Sequence, residues 1–373
     1  MAFGNPAVID IAADPHALDG QIEQTPNRPA VFLIWARQGA PYLARTTVLR
    51  RRLKRLLGER PGPSRWLNLR PIATRVECWP AGSGLEMQFL FYELARRHFP
   101  DTYLTLVKLR MPPYVKLILA NPFPRTQVTT RLSGRGLYCG PFRSRATAEQ
   151  FEVEVLELFQ IRRCQEDLDP SPQHPGCIYG EMNKCLRPCQ QAVSAEEYRA
   201  ESERAAAFLR TGGQSLVEPL EAARELLSQE LRFEDAAREH SRVEKVQEVL
   251  RLRDGLAGDI DGLHGVAVTA SAEPGAVELW FMAGGCWHPP LRFGFEVVEG
   301  KTVSMDHRLR EIAAALEPRR LAVQERQEHL ALLARWYYSS WRDGEWLPFA
   351  DTLHIPYRKL VNAISRIASA RLS

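Results

Sequence analysis

The unbroken apolar run "AVFLIWA" (30–36) and the short segment "YLART" (42–46) read as two strands joined by the "QGAP" turn, a predicted hairpin. Leu49, Leu53, Leu56 and Leu57 then recur at helical spacing, so "RTTVLRRRLKRLLGER" reads as an amphipathic helix. "PGPSR" interrupts the pattern, and "TRVECWPA" supplies a third strand. "GLEMQFLFYELARRHF" supplies a second helix, with Ser83 placed to cap it. "YLTLVKL" and "YVKLILAN" read as further strands, closed by the proline-rich "NPFPRT". This order predicts a small mixed domain over residues 26–106 and a strand and helix connector over 107–160. Residues 1–25 read as an aperiodic lead-in.

Beyond the connector helix, "SRATAEQFEVEVLELFQI", lies a segment over 161–212. It ends in "SAEEYRAESERAAAFLRTG", whose Ser194 and Glu197 form a capping box and whose Gly212 ends the helix. Residues 213–255 predict two helices bent back at "LRF". In the second, Phe233, Ala236, Ala237, His240 and Val243 share one face, an expected exposed apolar stripe and partner surface. The strands "HGVAVTAS", "AVELWFMAG" and "RFGFEVVEG" and a helical tail make a unit over 260–373. Leu360, Ala363, Ile364 and Ile367 line one face of the tail, which is expected to dock on the body. No repeat or low-complexity tract occurs. The fold class expected is α+β and multi-domain, in keeping with 373 residues.

An apolar content of 45% and a charged content of 25% are those of a globular chain. No apolar run reaches the roughly 18 residues of a membrane span. The first twenty residues lack a basic stretch followed by an apolar core. The expectation is a cytoplasmic protein with no membrane partner. Seven cysteines in a reducing compartment suit metal binding better than disulfides. Four are clustered: Cys164, Cys177, Cys185 and Cys189 follow C-x12-C-x7-C-x3-C. Four thiolates serve tetrahedral zinc or an iron–sulfur cluster equally, and spacing does not separate them. The alternative is four unligated thiols. Arg163, Lys184 and Arg187 are expected to lower the thiol pKa values, while Cys78, Cys139 and Cys286 read as isolated core or surface thiols.

Net charge is only +4, yet Arg45 to Arg60 carries seven basic side chains against one acid. Arg45, Arg50, Arg51, Arg52, Lys54 and Arg55 are therefore candidate DNA phosphate ligands, the alternative being a solvated helix face.

Taken in order, these pieces resemble the UvrC family, the nuclease subunit of bacterial nucleotide excision repair, from about residue 28 to 345. "YCGPF" (138–142) is similar to a turn of that family, "CIYGEMNKCLRPCQQAVSAEEYRAESERAAAFL" to its cysteine region, and "LRFEDAAREHSRVEKV" to its UVR motif. The resemblance implies a 4Fe–4S cluster on the four cysteines, with zinc as the alternative, and UvrB as the partner of the hairpin at Phe233, Ala236, Ala237 and Val243. Residues 26–106 resemble the GIY-YIG nuclease domain. There the first tripeptide falls on Ala30, Val31 and Phe32, where the tyrosine hydroxyl is lost. The second falls on Tyr42, Leu43 and Ala44. Arg45 stands where lysine is usual, Arg52 matches the phosphate-binding arginine, and the metal-holding glutamate falls on Phe91. On an ideal helix Glu86 points about 140° and Glu93 about 200° from Phe91, so neither replaces it. A hard cation needs oxygen ligands, so the expectation is a degenerate site, with Tyr42 and Arg52 as remnants, on a DNA-binding platform. Mg²⁺ is required only under the rival expectation, an active endonuclease making a single incision. The residues after the hairpin resemble the region preceding the family's RNase H-like nuclease, and the match stops short of it. Asp259 and Asp261 read as loop acids capping a turn.

Overall fold

The computed structural model describes residues 4–11, 17–59, 67–294, 297–298, 301–302, 304–317 and 319–369. The predicted "PGPSR" break and the last residues of the tail lie outside them. The chain is α+β, and its described residues build four hydrophobic cores.

The first sheet runs β1 (Ala7–Asp10), β4 (Ala73–Pro80), β2 (Ala30–Ala36), β3 (Tyr42–Thr46), all antiparallel. Strand β2 is apolar on both faces because both are covered. Ala30, Phe32 and Ile34 pack with Leu49, Leu53, Leu56 and Leu57 of α2 (Leu49–Leu57). Val31 and Leu33 pack instead with α3 (Gly84–His98). Ser83 caps α3, its hydroxyl accepting from the Glu86 amide.

Two predicted elements differ. The described residues of the lead-in form regular structure: β1 pairs with β4, and α1 (Leu18–Gln24) buries Leu18 and Ile22. Four strand residues and one i,i+4 pair are too few to register as a period. "YLTLVKL" is not a strand but the short helix α4 (Tyr103–Val107), stopped by Lys108 in a left-handed conformation. Its alternating pattern gives way to the tertiary contact between Tyr103 and a buried glutamate of a later helix.

A second sheet, β6 (Thr126–Thr129), β5 (Tyr114–Leu117), β7 (Leu137–Gly140) and β8 (Gly258–Asp259), shares its core with four helices. These are α5 (Arg145–Leu156), α7 (Ala195–Arg210), α8 (Gln214–Gln229) and α9 (Phe233–Arg251), with α8 packed along α9. The Ser194–Glu197 capping box is formed.

The third sheet runs β11 (Cys286–Trp287), β10 (Ala276–Ala283), β9 (His264–Ala270) and β15 (Glu345–Phe349), with β12 (Leu291–Gly294) on the other side of β10. Beside it β13 (Val297–Val298) pairs with β14 (Lys301–Thr302). One face packs on α10 (Met305–Ala314) and on α12 (Tyr357–Ser369), which docks through Leu360, Ala363 and Ile364 as its periodicity predicts. Asp259 accepts from the Asp261 amide and Asp261 pairs with Arg326, so both acids serve a turn.

The other face joins α3 through α11 (Val323–Tyr337). The Gln88 amide donates to the Leu332 carbonyl at 2.9 Å, Tyr92 and Tyr103 donate to Glu328, and Arg96 pairs with Glu325. Gly82 permits the approach: a Cβ there would lie 2.0 Å from the Ser271 carbonyl carbon. Burial at Glu328 pushes Tyr92 upward in pKa, so both tyrosines stay neutral donors. No described helix is long and apolar enough to cross a membrane.

Candidate nucleic-acid interface and cysteine centre

Because side chains alternate along β2 and β3, the positions expected to form a nuclease remnant fall on two sides of the first sheet. On the α2 side, Arg52 donates to the Tyr42 hydroxyl at 3.1 Å, and the Phe32 ring centroid lies 6.4 Å from that of Tyr42. The Arg52 Nε is buried and has no hydrogen-bond partner in the protein. On the α3 side, Phe91 is 8% exposed among Val31, Leu33 and Leu43, and the Arg45 guanidinium sits 5.4 Å from its ring centroid. A cation over a ring face is worth roughly 0.5–1 kcal/mol at a partly exposed site.

Neither neighbouring carboxylate faces Arg45. Glu86 is buried, accepts from the Gly82 amide at 2.6 Å, and lines a cleft with Arg28, Trp79 and Glu278. Glu93 opens into another cleft with Trp287, Arg319 and Glu325, where burial raises its pKa.

The basic residues of α2 are unequal. Arg50 is committed to the Thr25 carbonyl at 2.7 Å, Lys54 to Glu23 and Arg52 to Tyr42. Arg51 and Arg55 are exposed, and the Arg51 side chain makes no ion pair with a described residue.

The cysteine segment follows α5 and contains one four-residue helix, α6 (Ile178–Glu181), and a 3-10 turn (Pro188–Gln190) before α7. Its path relies on left-handed residues at Asn183, Arg187 and Gln191. Cys185 and Cys189 are buried, Cys164 is half-buried and Cys177 exposed. As free thiols, burial pushes Cys185 up to about 11, with Cys177, Cys164 and Cys189 adding to the shift. The four sulfurs therefore lie within electrostatic reach of one another. The Arg187 amide and the Arg162 guanidinium each donate to a sulfur, Cys185 and Cys164 respectively, at 3.4 Å. Four sulfurs with N–H donors match the donor set of a thiolate-held metal centre. Their side chains are not drawn into a ligand shell: among the described residues no three His, Cys, Asp or Glu are arranged to hold an ion.

The expected lowering of the thiol pKa values by nearby cations is not met. Glu157 pairs with both Arg163 and Lys184 at 2.9 Å, and burial dominates at Cys185 and Cys189. Cys78, Cys139 and Cys286 are buried singly.

On the α8–α9 hairpin the predicted stripe divides. Phe233 is 63% exposed and Ala237 is exposed, but Val243 is 2% exposed and Ala236 is buried. Val243, with Val246 and Val249, belongs to the second core, because α5 and α7 pack where the sequence leaves an open face. The apolar surface at the tip consists of Phe233, Leu231 and Leu226. Leu231 holds a left-handed turn at φ 59°. The bend at "LRF" was the available signal for the two leucines, since periodicity over one helix ignores its turn.

Residues 113–208 match the family described as the middle domain of the UvrC/Cho excinuclease. The chain is similar to the UvrABC system protein C of Lachnospira eligens, 23% identical over 77% of this chain and 48% of that one. The corresponding protein of Moorella thermoacetica is 26% identical over 72% of this chain and 44% of its own. That of Ruminiclostridium cellulolyticum is 23% identical over 94% and 58% respectively. The chain spans about half the length of the curated relatives it matches. No solved structure matches it. The matched middle region lies within alignments to UvrC proteins that extend over most of this chain's length, so the similarity is to the UvrC family.

Proposed function

We propose that this protein binds DNA and UvrB in nucleotide excision repair and does not itself cut the strand. One observation carries the reading. The position that should supply a metal-holding carboxylate is Phe91, buried beneath Arg45, while Glu86 and Glu93 open into separate clefts. A phenyl ring offers no lone pair to a hard cation. In this reading Cys164, Cys177, Cys185 and Cys189 hold a 4Fe–4S cluster whose role is to fix the fold between the first two sheets and the hairpin.

DNA binding is assigned to the α2 face, with Arg51 and Arg55 as its exposed charges. Arg51→Glu is expected to reduce the slope of log affinity against log salt by about one to two, since each neutralised phosphate contributes about 0.9. Anisotropy titrations of labelled duplex over a range of KCl measure this. An unchanged slope would mean that the helix face is merely solvated.

UvrB binding is assigned to the hairpin tip. Phe233→Ala is expected to weaken UvrB binding by about 2 kcal/mol, roughly thirtyfold, if the ring is a central anchor. The thermal midpoint should hardly move because the ring is exposed. Titration against UvrB with and without its own hairpin tests this, and equal binding by wild type and variant would refute the assignment.

A further inference from the structure

A cleft of about 420 Å³ opens where β3 turns into α2, beside the start of α3 and the end of α11. Arg45, Thr46, Thr47, Met87, Arg335 and Trp341 line it, and no carboxylate does. Arg45 rests on Phe91, and Arg335 donates to the Val107 carbonyl at 3.2 Å. Among the described residues neither pairs with an acid. Burial and the charge of Arg335 lower the pKa of Arg45, while burial and the charge of Arg110 lower that of Arg335. Asp343, close by, is engaged by the Gly84 amide and the Trp336 indole.

Two cations held together without a counter-charge are costly, and an anion between them relieves that cost. Trp341 adds a second surface. Its indole is 46% exposed and lies directly over Gly84, where a Cβ would come within 2.7 Å of the ring. An exposed aromatic beside paired guanidiniums provides a stacking platform next to a phosphate clamp.

We propose that this cleft binds a single nucleotide, its phosphate held by Arg45 and Arg335 and its base stacked on Trp341. The volume is of the size that small ligands fill. The cleft shares Arg45 with the DNA-binding reading and otherwise stands apart from it. A free nucleotide and a nucleotide at the end of a strand present the same chemistry.

Calorimetric titration of the full chain with dAMP, and with one oligonucleotide carrying either a 5′-phosphate or a 5′-hydroxyl, tests the proposal. Arg335→Gln and Trp341→Leu are each expected to weaken binding about tenfold or more. Thr47→Glu places a carboxylate in the cleft and should abolish binding while raising the thermal midpoint, which no folding defect would do. Arg51→Glu should weaken duplex binding and leave dAMP affinity unchanged, so failure of the DNA-binding reading is distinguishable from failure of this one. Binding of dAMP supports a free nucleotide, and binding of the 5′-phosphorylated strand alone supports a strand end. Equal binding of dAMP by wild type and Thr47→Glu would overturn the proposal. So would failure to bind dAMP together with equal affinity for the two oligonucleotides.

Discussion

Damaged duplex DNA incubated with this protein, UvrB and Mg²⁺ or Mn²⁺ is expected to remain uncut on the 3′ side of the lesion. Metal-assisted phosphodiester cleavage needs a cation held by oxygen ligands and an activated nucleophile. At the corresponding place are the Phe91 ring and the Arg45 guanidinium, two groups that cannot ligate a cation. Arg52 can steady charge on a phosphate, but it and its hydrogen-bond partner, Tyr42, lie on the α2 side of the sheet and Phe91 on the other. The double change Phe91→Glu with Phe32→Tyr is the stringent test of repair. A glutamate at position 91 would gain Arg45 as an ion-pair partner but lose ring packing worth about 3 kcal/mol. A tyrosine hydroxyl at the fully buried position 32 costs roughly 1–3 kcal/mol unless it finds a partner. Recovery should therefore be a trace at most. Robust metal-dependent nicking by wild type, abolished by Arg52→Ala, would reverse the conclusion and assign the ion to Glu86 or Glu93.

Sequence pattern made the elements around this site legible because each is amphipathic with a full turn or more of evidence. The leucines of α2, the Ser83 cap of α3 and the apolar face of α12 all sit where their spacing puts them. What pattern could not reveal was pairing between distant segments. Nothing in the spacing of α11 shows that its Leu332 carbonyl, Glu325 and Glu328 meet α3 and α4. The cleft of Arg45, Arg335 and Trp341 was hidden for the same reason. The hairpin stripe fails through the opposite error: Val243 looked exposed in an isolated hairpin, whereas α5 and α7 cover it. Charge was also over-read in α2, since composition counts Arg50 and Lys54 as free although Thr25 and Glu23 hold them. Both corrections follow from tertiary neighbours that a local window does not contain.

Replacing Cys185 by Ser is expected to release the metal from anaerobically purified protein and to open residues 164–193 to protease. The segment has little regular structure to hold it. Its regular structure is one four-residue helix and one three-residue 3-10 turn (Pro188–Gln190). Asn183, Arg187 and Gln191 occupy left-handed conformations, each at a cost on the order of 1 kcal/mol. Against this stand the Glu157 pairs with Arg163 and Lys184, and the hydrogen bond from Ser171 to the Cys189 carbonyl at 2.9 Å. Ion pairs that keep some contact with water, as these do, contribute on the order of 1 kcal/mol apiece. A thiolate-held metal, by contrast, contributes about 10 kcal/mol or more to folding in small domains that depend on it. Serine preserves the size of the side chain but removes the soft thiolate donor, so the loss should be one of ligation and not of packing. Cys286→Ser, at a buried thiol far along the chain, is the control that should leave metal content unchanged. Absorption spectra with iron and zinc analysis identify the metal, and limited proteolysis follows the segment. Iron with a broad visible band would support the cluster, and stoichiometric zinc would transfer the same architectural role to a tetrahedral ion. Wild-type protein that contains neither metal, yet resists protease across 164–193 as well as in the Cys185→Ser variant, would show that these four thiols are held by the fold alone.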